Sequence, residues 1–417
     1  MGHRLTGLLL LAWLWLAVVP AVGQRQVVSG VVRSALSGEP LAQVSVQGLS
    51  ATADERLEAV VTNDEGLFTL KSDRQLQAIV VSHLGYHTRR VDVGAVGAVL
   101  DIRLQPATVQ LREVTVWTGD ARELVALAVS KIPHNYSAHD ELSRCFYRET
   151  AMKRHNYVYV AEGVLDMYKA GYSHSLRRDR VAIRKGRRLM SPRKKDTLTV
   201  KVTGGPVQAL QLDVVKHHDM LFSPDELQRY ELRLLPAQTI DDRLHYVVGV
   251  APRSVAECPW ALYHGQLFID AQTLAFSRIE LQLDMSDRDK ATQMMLVKKP
   301  MGLRFKPREL SLSLHYAYDG SVSRLSYVRT TFRFNCDWKR RLIATSFTAV
   351  CEMVTTGRES LSESKPITGR ESFDRRDAFY DKVDYFRDPD FWSDYNIIEP
   401  TEHLDRAIDK IVRRYRQ

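Results

Sequence analysis

The sequence predicts a mainly β protein, with an amino-terminal seven-stranded β-sandwich followed by a large curved antiparallel sheet and a few helices. Three observations carry that prediction. Short Val-, Ile- and Leu-rich runs separated by Gly, Pro, Asn and Asp recur at roughly 8–12-residue spacing up to about residue 106, the rhythm of a sandwich. Longer stretches beyond it alternate apolar and polar residues with the period of a half-buried strand. Helical apolar stripes stand near 120–132 and 404–415. The composition fits a folded chain, since 417 residues with 44% hydrophobic and 26% charged are too apolar for disorder. That length allows two or three domains with sizeable cores and no need of disulfide staples.

Residues 1–23 read as a secretory signal: a basic start at His3 and Arg4, an apolar run over 8–19, then Pro20 and Ala21-Val22-Gly23. Cleavage is expected between Gly23 and Gln24. The run is shorter than the ~20 residues a spanning helix needs, and no other segment is long and apolar enough. The mature chain is therefore expected outside the cytoplasm, in a Gram-negative periplasm or at the outer membrane, which excludes nucleic acid as a partner. Strands are predicted over 27–33, 42–46, 58–62, 67–70, 77–82, 87–93 and 99–104, giving a domain over 24–106. Gly38-Glu39-Pro40 is a turn, Asp64-Glu65-Gly66 a hairpin turn that needs positive φ, and Phe68 an anchor between sheets.

Within this region Gly30-Val31-Val32, Gly38-Glu39-Pro40-Leu41, Val44-Ser45-Val46, the run from Thr62-Asn63-Asp64 to Leu70, and Ser82-His83-Leu84-Gly85-Tyr86 stand in order. The set resembles the carboxypeptidase-regulatory-like (transthyretin-like) domain family over about 80 residues. The resemblance implies an accessory sandwich without zinc or peptidase residues. In some envelope proteins the same domain precedes TonB-dependent receptors, with an ending similar to Val109-Gln110-Leu111-Arg112-Glu113-Val114-Thr115-Val116. A receptor would continue with a plug and a large membrane barrel. Here about 300 residues follow, ending in a helix.

After a linker over 107–119, Asp120-Ala121-Arg122-Glu123 has capping-box spacing and opens a helix to residue 132, with Leu124, Leu127, Ala128 and Ile132 on one face. The domain over 120–417 then alternates: Tyr157, Tyr159, Ala161, Leu165 and Met167; Leu244, Tyr246, Val248 and Val250; Ile279, Leu281 and Leu283; Leu310, Leu312, Leu314 and Tyr316. Tyr318-Asp319-Gly320-Ser321 is a hairpin turn, and a phase change near Arg329 predicts a bulge. The helix near 120–132 and the segment 223–230 are expected to close part of the sheet. The stretch 265–273 with Arg278-Ile279-Glu280 resembles the strand-turn-strand repeat of periplasmic lipoprotein-carrier folds over about 20 residues, which would imply a half-barrel for acyl chains. Any antiparallel meander with an Asp-x-x-Thr turn presents the same pattern. Near the carboxyl end, Phe391-Trp392-Ser393-Asp394-Tyr395-Asn396-Ile397-Ile398 resembles the ending of a family of uncharacterised envelope proteins and reads as a packing lock. It leads into a helix with Leu404, Ala407, Ile408, Ile411, Val412 and Tyr415 on a single stripe, which must dock.

Catalytic signatures are missing: no His has Glu three residues on, and there is no His-Glu-x-x-His, Gly-x-Ser-x-Gly or phosphate-binding glycine loop. His217-His218 are neighbours that point apart on a strand or helix. Asn135-Tyr136-Ser137 fits a glycosylation acceptor but carries little meaning in a bacterial periplasm. Cys145, Cys258, Cys336 and Cys351 show no C-x-x-C; a hairpin at 337–341 sets Cys351 opposite about Tyr327, so free, packed thiols are expected. No catalytic residue, metal or cofactor is predicted.

One charge cluster stands out. Arg177, Arg178, Arg180, Arg184, Lys185, Arg187, Arg188, Arg193, Lys194 and Lys195, against Asp179, make a local +9 that equals the net charge of the whole chain. Gly186 and Ser191-Pro192 break the segment into strand, turn and exposed loop. Such a patch attracts phosphate-bearing surfaces, which in a periplasm are lipid head groups; the plainer alternative is a solvated face or pairing with nearby acids. The sequence thus predicts a non-catalytic envelope binding protein that recognises an anionic lipid or an outer-membrane assembly partner. Two rival readings are a protein-interaction scaffold and a metallocarboxypeptidase-related hydrolase, the latter without a zinc motif to support it.

Overall fold

The computed structural model describes residues 25–50, 56–94, 99–107, 117, 119–173, 178–192, 201–202, 205–253, 258–338, 344–359, 367–374, 377–385 and 391–415. The predicted signal with its Gly23/Gln24 cleavage site and most of the predicted linker lie outside them.

All seven predicted sandwich strands form: β1 (Gln26–Ser34), β2 (Ser45–Ser50), β3 (Arg56–Val61), β4 (Leu67–Ser72), β5 (Leu76–Ser82), β6 (Arg89–Asp92) and β7 (Val99–Leu104). They make two sheets, β4-β1-β7 and β3-β2-β5-β6, closed on Val32, Val46, Phe68, Leu70, Ile79 and Ile102. The second strand starts at Ser45 rather than 42, because Gln43 sits at φ 57° in a turn. The Thr62 hydroxyl holds that turn by donating to the Leu41 carbonyl (2.7 Å) and accepting from the Val44 amide (3.0 Å). In the β3–β4 hairpin, Asn63 Oδ1 accepts from the amides of Glu65 and Leu67, and Gly66 takes φ 74°. A Cβ at Gly66 would stand 2.5 Å from the Val32 carbonyl oxygen, so the turn requires glycine.

The remaining chain runs α1 (Ala121–Ser130), α2 (Ile132–Asn135), β8 (Glu141–Lys153), β9 (Asn156–Lys169), β10 (Arg180–Met190), β11 (Lys201–Val202), α3 (Pro206–Gln211), α4 (Pro224–Leu227), β12 (Tyr230–Ile240), β13 (Arg243–Pro252), β14 (Tyr263–Asp270) and β15 (Phe276–Leu283). Then come α5 (Arg288–Met295), β16 (Leu296–Lys298), β17 (Leu303–Tyr318), β18 (Ser323–Trp338), β19 (Thr345–Glu359), β20 (Asp384–Tyr385) and α6 (Glu402–Tyr415). Ten strands form an antiparallel sheet in the order β12-β13-β14-β15-β17-β18-β19-β8-β9-β10, and β20 adds a parallel edge to β10. Asp120 caps α1 from its predicted position by accepting from the Arg122 amide, and Ser223 caps α4 by accepting from the Glu226 amide.

Strand alternation divides the sheet into two dissimilar faces. One is covered by α1, α2, α3 and the segment through α4: Leu124, Ile132, Leu210, Phe222 and Leu227 pack on Leu165, Val248, Leu267, Ile279, Leu314 and Met353. That cover is pinned by Asp213, which accepts from the hydroxyls of Tyr172 and Tyr316 (2.7 Å each) and pairs with Lys169 at 2.7 Å. Lys216, on the same cover, donates to the Ala170 carbonyl and pairs with Asp179.

The other face receives the sandwich and the carboxyl end. Val61 meets Phe146, Val164, Tyr327 and Val354, with Trp392, Ile397 and Ile398 wedged among them. The α6 stripe lands Leu404, Ile408 and Ile411 on Val160 and Leu189. Two register details differ from the sequence reading. The bulge on β18 is at Ser326 rather than near Arg329, and Cys351 faces Thr330 rather than Tyr327, because the hairpin turn is centred later than 337–341. All four cysteines are free.

A cross-strand charge ladder underlies the wedge. Arg148, Glu162 and Arg187 are register partners on β8, β9 and β10. Arg148 Nε and Arg187 Nε donate to the two Glu162 oxygens at 2.7 and 2.8 Å, and the Trp392 indole N–H donates at 2.9 Å. Glu162 is 1% exposed, and the two guanidinium groups hold its carboxyl down at about 2 against the desolvation that burial imposes. Arg148 also donates to the Ile398 carbonyl at 2.6 Å. Removing one member of such a group strands the others, at a cost of about 3–5 kcal/mol. Glu162→Gln should therefore lower unfolding free energy by that order in urea titrations and expose the carboxyl end to limited proteolysis. A loss within measurement error would mean that the ladder is not what holds the wedge.

Candidate functional site

The basic cluster is the first place to look, and the fold spends much of its charge internally. A bulge between Ile183 and Lys185 shifts the pairing of β10 against β9, after which Lys185 and Arg187 stand opposite Val164 and Glu162. Arg184 bonds Asp166 at 3.0 Å and Glu359 at 3.2 Å. Lys185 donates to the Phe391 carbonyl at 2.7 Å and lies 4.1 Å from that ring centroid. Arg187 bonds Glu162 and covers Trp392, while Arg188 donates to the Tyr380 carbonyl and Arg180 to the Ile367 carbonyl. Arg178 is exposed; Arg177, Arg193, Lys194 and Lys195 lie outside the described residues. Lys185 and Arg187 thus clamp the aromatic carboxyl end, a partnership that joins residues about 200 positions apart and so has no local sequence signal.

The open space lies elsewhere, between the sandwich and the sheet face it covers, as a cavity of about 300 Å³. Its walls are tied together at several points. The Gly85 amide donates to the Thr239 carbonyl (2.8 Å), His87 reaches Asp242 (3.2 Å), and Arg329 pairs with Asp64 (3.1 Å). Along β4, Asn396 brackets Lys71 by accepting from its amide and donating to its carbonyl, while Lys71 Nζ donates to the carbonyls of Trp392 and Tyr395. Arg25 pairs with Asp73 and Asp394. The carboxyl-terminal wedge therefore builds one wall of the cavity, to which Asp394, Tyr395 and Asn396 contribute.

The sandwich wall holds Gln43, Gln47, Glu58 and His83, and the sheet wall holds Ser277, Arg278, His315 and Arg324. Gln43 Oε1, Gln47 Oε1 and Glu58 Oε2 are buried acceptors with no donor among the described residues, as is His83 Nδ1. Buried polar atoms are ordinarily paired, with solvent or with other polar groups. Positive charge is also present, though much of it is held by acids: Arg324 pairs with Glu141 and Asp319, and Arg278 with Glu280. Burial and the neighbouring Arg278 push the His83 imidazole down to about 4, and the same two causes with His83 push His315 well below its ordinary value. No group of three or more metal-ligating side chains occurs among the described residues. Sequence reasoning missed this site because its walls come from two domains and its residue types are commonplace.

Comparison with known proteins bears on the amino-terminal part. Residues 28–116 match the model of the CarboxypepD_reg-like domain, so the sandwich is such a domain, and the match runs past the predicted boundary at 106 into the linker. Among solved structures, a DUF1329 family protein from Desulfovibrio piger is similar at 10% identity, covering 56% of this chain and 91% of that one, with a TM-score of 0.22. A LolA superfamily protein from Nitrosomonas europaea is similar at 13% identity over 57% and 94% of the two chains, with a TM-score of 0.20. At those scores the likeness bears on neither mechanism nor ligand. No curated protein matches the chain. No described helix is long and apolar enough to cross a membrane.

The depressed imidazoles set a pH window. The unfolded chain takes up a proton at His83 near the ordinary imidazole value of 6.5 and the folded chain only near 4, so stability rises with pH between those values and falls as pH drops through them. His83 contributes about 3 kcal/mol at most. Urea midpoints should fall from pH 6.5 to 4, with a shallower slope in His83→Gln; an unchanged slope in that variant would place the acid sensitivity elsewhere.

Proposed function

We propose that this chain is a cell-envelope binding protein that takes its ligand into the cavity between the sandwich and the sheet. The observation that carries the reading is the unsatisfied acceptor wall of Gln43, Gln47 and Glu58 facing a sheet wall that holds Arg278 and Arg324. That pairing suits a polar head group with hydroxyl or amine donors on one side and an anionic centre on the other. An anionic lipid of the envelope has this chemistry, and the signal-like residues 1–23 support the compartment. The face covered by the helices is filled with packed side chains, which leaves the sandwich side as the better place for a head group.

A scaffold reading has one observation in its favour. β12 is an outer strand of the large sheet and exposes Leu234 and Leu235, a surface to which a partner's strand could add.

The test is native mass spectrometry of the mature chain from Gln24, produced in a periplasm and gently purified. The wild type should carry a lipid mass that is lost on denaturation. Gln43→Leu with Gln47→Leu removes two unpaired acceptors, so the fold should keep or gain stability while ligand occupancy drops about tenfold. Replacing Arg193, Lys194 and Lys195 by Ser should leave occupancy intact. A ligand-free wild type would sink the lipid reading, and occupancy lost only in the basic-loop variant would sink the cavity as its site; a stoichiometric protein without lipid would favour the scaffold.

A further inference from the structure

We propose that Ser277, activated by His245, is a nucleophile that opens onto the sandwich–sheet cavity and cleaves a small carboxylic ester. The proposal rests on the cavity being a ligand site and goes beyond binding.

The first support is a bulge. Phe268 pairs with Arg278 and Ile269 with Phe276, so Ser277 stands opposite no residue of β14. Consecutive residues of a regular strand face opposite sides, yet Ser277 and Arg278 both line the cavity while Phe276 and Ile279 both enter the helix-covered core. The extra residue is what aims the serine.

The second support is the tautomer. His245 Nδ1 lies 2.9 Å from the Arg243 carbonyl oxygen, which can only accept, so the ring proton sits on Nδ1. Nε2 is then an acceptor, and the Ser277 hydroxyl donates to it across 2.8 Å. This is the serine–base–orienter arrangement, with a main-chain carbonyl as the orienter. Asp270 Oδ2 stands 3.8 Å from Nε2 rather than at Nδ1, so its part is to stabilise the imidazolium once the proton has moved. Asp270 is itself fixed by Arg243 and by the amides of Gln272 and Thr273. His245 is 1% exposed, which keeps the base neutral and dry while the half-buried serine meets the cavity.

In the reaction, Ser277 Oγ bonds to the ester carbonyl carbon as its proton passes to His245 Nε2. The carbon–oxygen bond to the leaving group then breaks, and Nε2 returns the proton to form the alcohol. Water repeats the sequence on the acyl-serine, giving the acid and restoring the hydroxyl. Arg278, next in the chain and on the same wall, supplies positive charge beside the developing oxyanion.

The experiment uses the full mature chain and a fluorophosphonate probe, located by peptide mass mapping, together with hydrolysis of p-nitrophenyl acetate across pH 5–9. The expected result is one adduct on Ser277, absent in Ser277→Ala, with labelling and hydrolysis at least 100-fold slower in His245→Gln. The wild-type rate should rise through a single ionisation below pH 6.5. Should His245→Gln fail to fold, comparison of native with urea-unfolded wild type keeps the test alive, since labelling must require the fold. No adduct on Ser277 in the folded chain, or an adduct formed equally fast when unfolded, overturns the proposal. An unlabelled Ser277 in a chain that still carries its cavity ligand would refute catalysis alone, whereas a ligand-free wild type with Ser277 labelled would refute only the lipid reading.

Discussion

A buried carboxylate between two arginines is the constraint on which the rest of this architecture depends. Glu162 cannot be left alone at 1% exposure, because an unpaired ion there would cost several kcal/mol. Its partners Arg148 and Arg187 come from the flanking strands in register, and the remaining hydrogen bond comes from the Trp392 indole, more than 200 residues later. Satisfying one side chain therefore fixes the pairing of β8, β9 and β10 and brings the carboxyl end back across the sheet. Once there, Trp392, Ile397 and Ile398 fill the space under Val61, and the backbone of the same segment brackets Lys71. The wedge joins the direct contacts between sandwich and sheet in seating the sandwich.

The two faces of the sheet solve different problems. The helix-covered face is apolar and continuous, with Asp213, Lys169, Asp179 and Lys216 paired among themselves so that the cover is pinned without loose charges. The sandwich-covered face is an interface between domains, where complementarity is incomplete and a cavity remains. Interfaces of this kind are where ligand sites tend to lie, since neither domain's own packing dictates the residues that meet there. The bulge at Ser277 belongs to the same economy: a sheet that bends around a packed core must yield register somewhere, and here it does so next to the cavity.

Much of the fold was legible because it is written in short-range pattern. The seven sandwich runs, the Asp120 cap, the Tyr318–Ser321 turn and the docking stripe of the last helix all rest on spacing within a few residues. The errors were of register: 42–44 turned instead of extending, the β18 bulge fell at Ser326, and Cys351 met Thr330. Register depends on how a turn closes and on what the next strand offers, neither of which alternation encodes. The basic cluster was read from composition, which cannot show that Arg184, Lys185, Arg187 and Arg188 find partners in Glu359, Phe391, Glu162 and Tyr380.

The sequence by itself determined the mainly β class, the amino-terminal domain family and a carboxyl end that had to dock, because hydrophobic period, turn chemistry and an ordered motif set act locally. Only the tertiary structure decided where charge is spent and where space is left. His245 and Ser277, 32 residues apart, become neighbours across one intervening strand, and Gln47 and Arg324 line one cavity only because one domain is seated on the other. Coulomb pairing, hydrogen bonding and cavities are properties of distance in space, and the chain sets those distances only when its long-range contacts close.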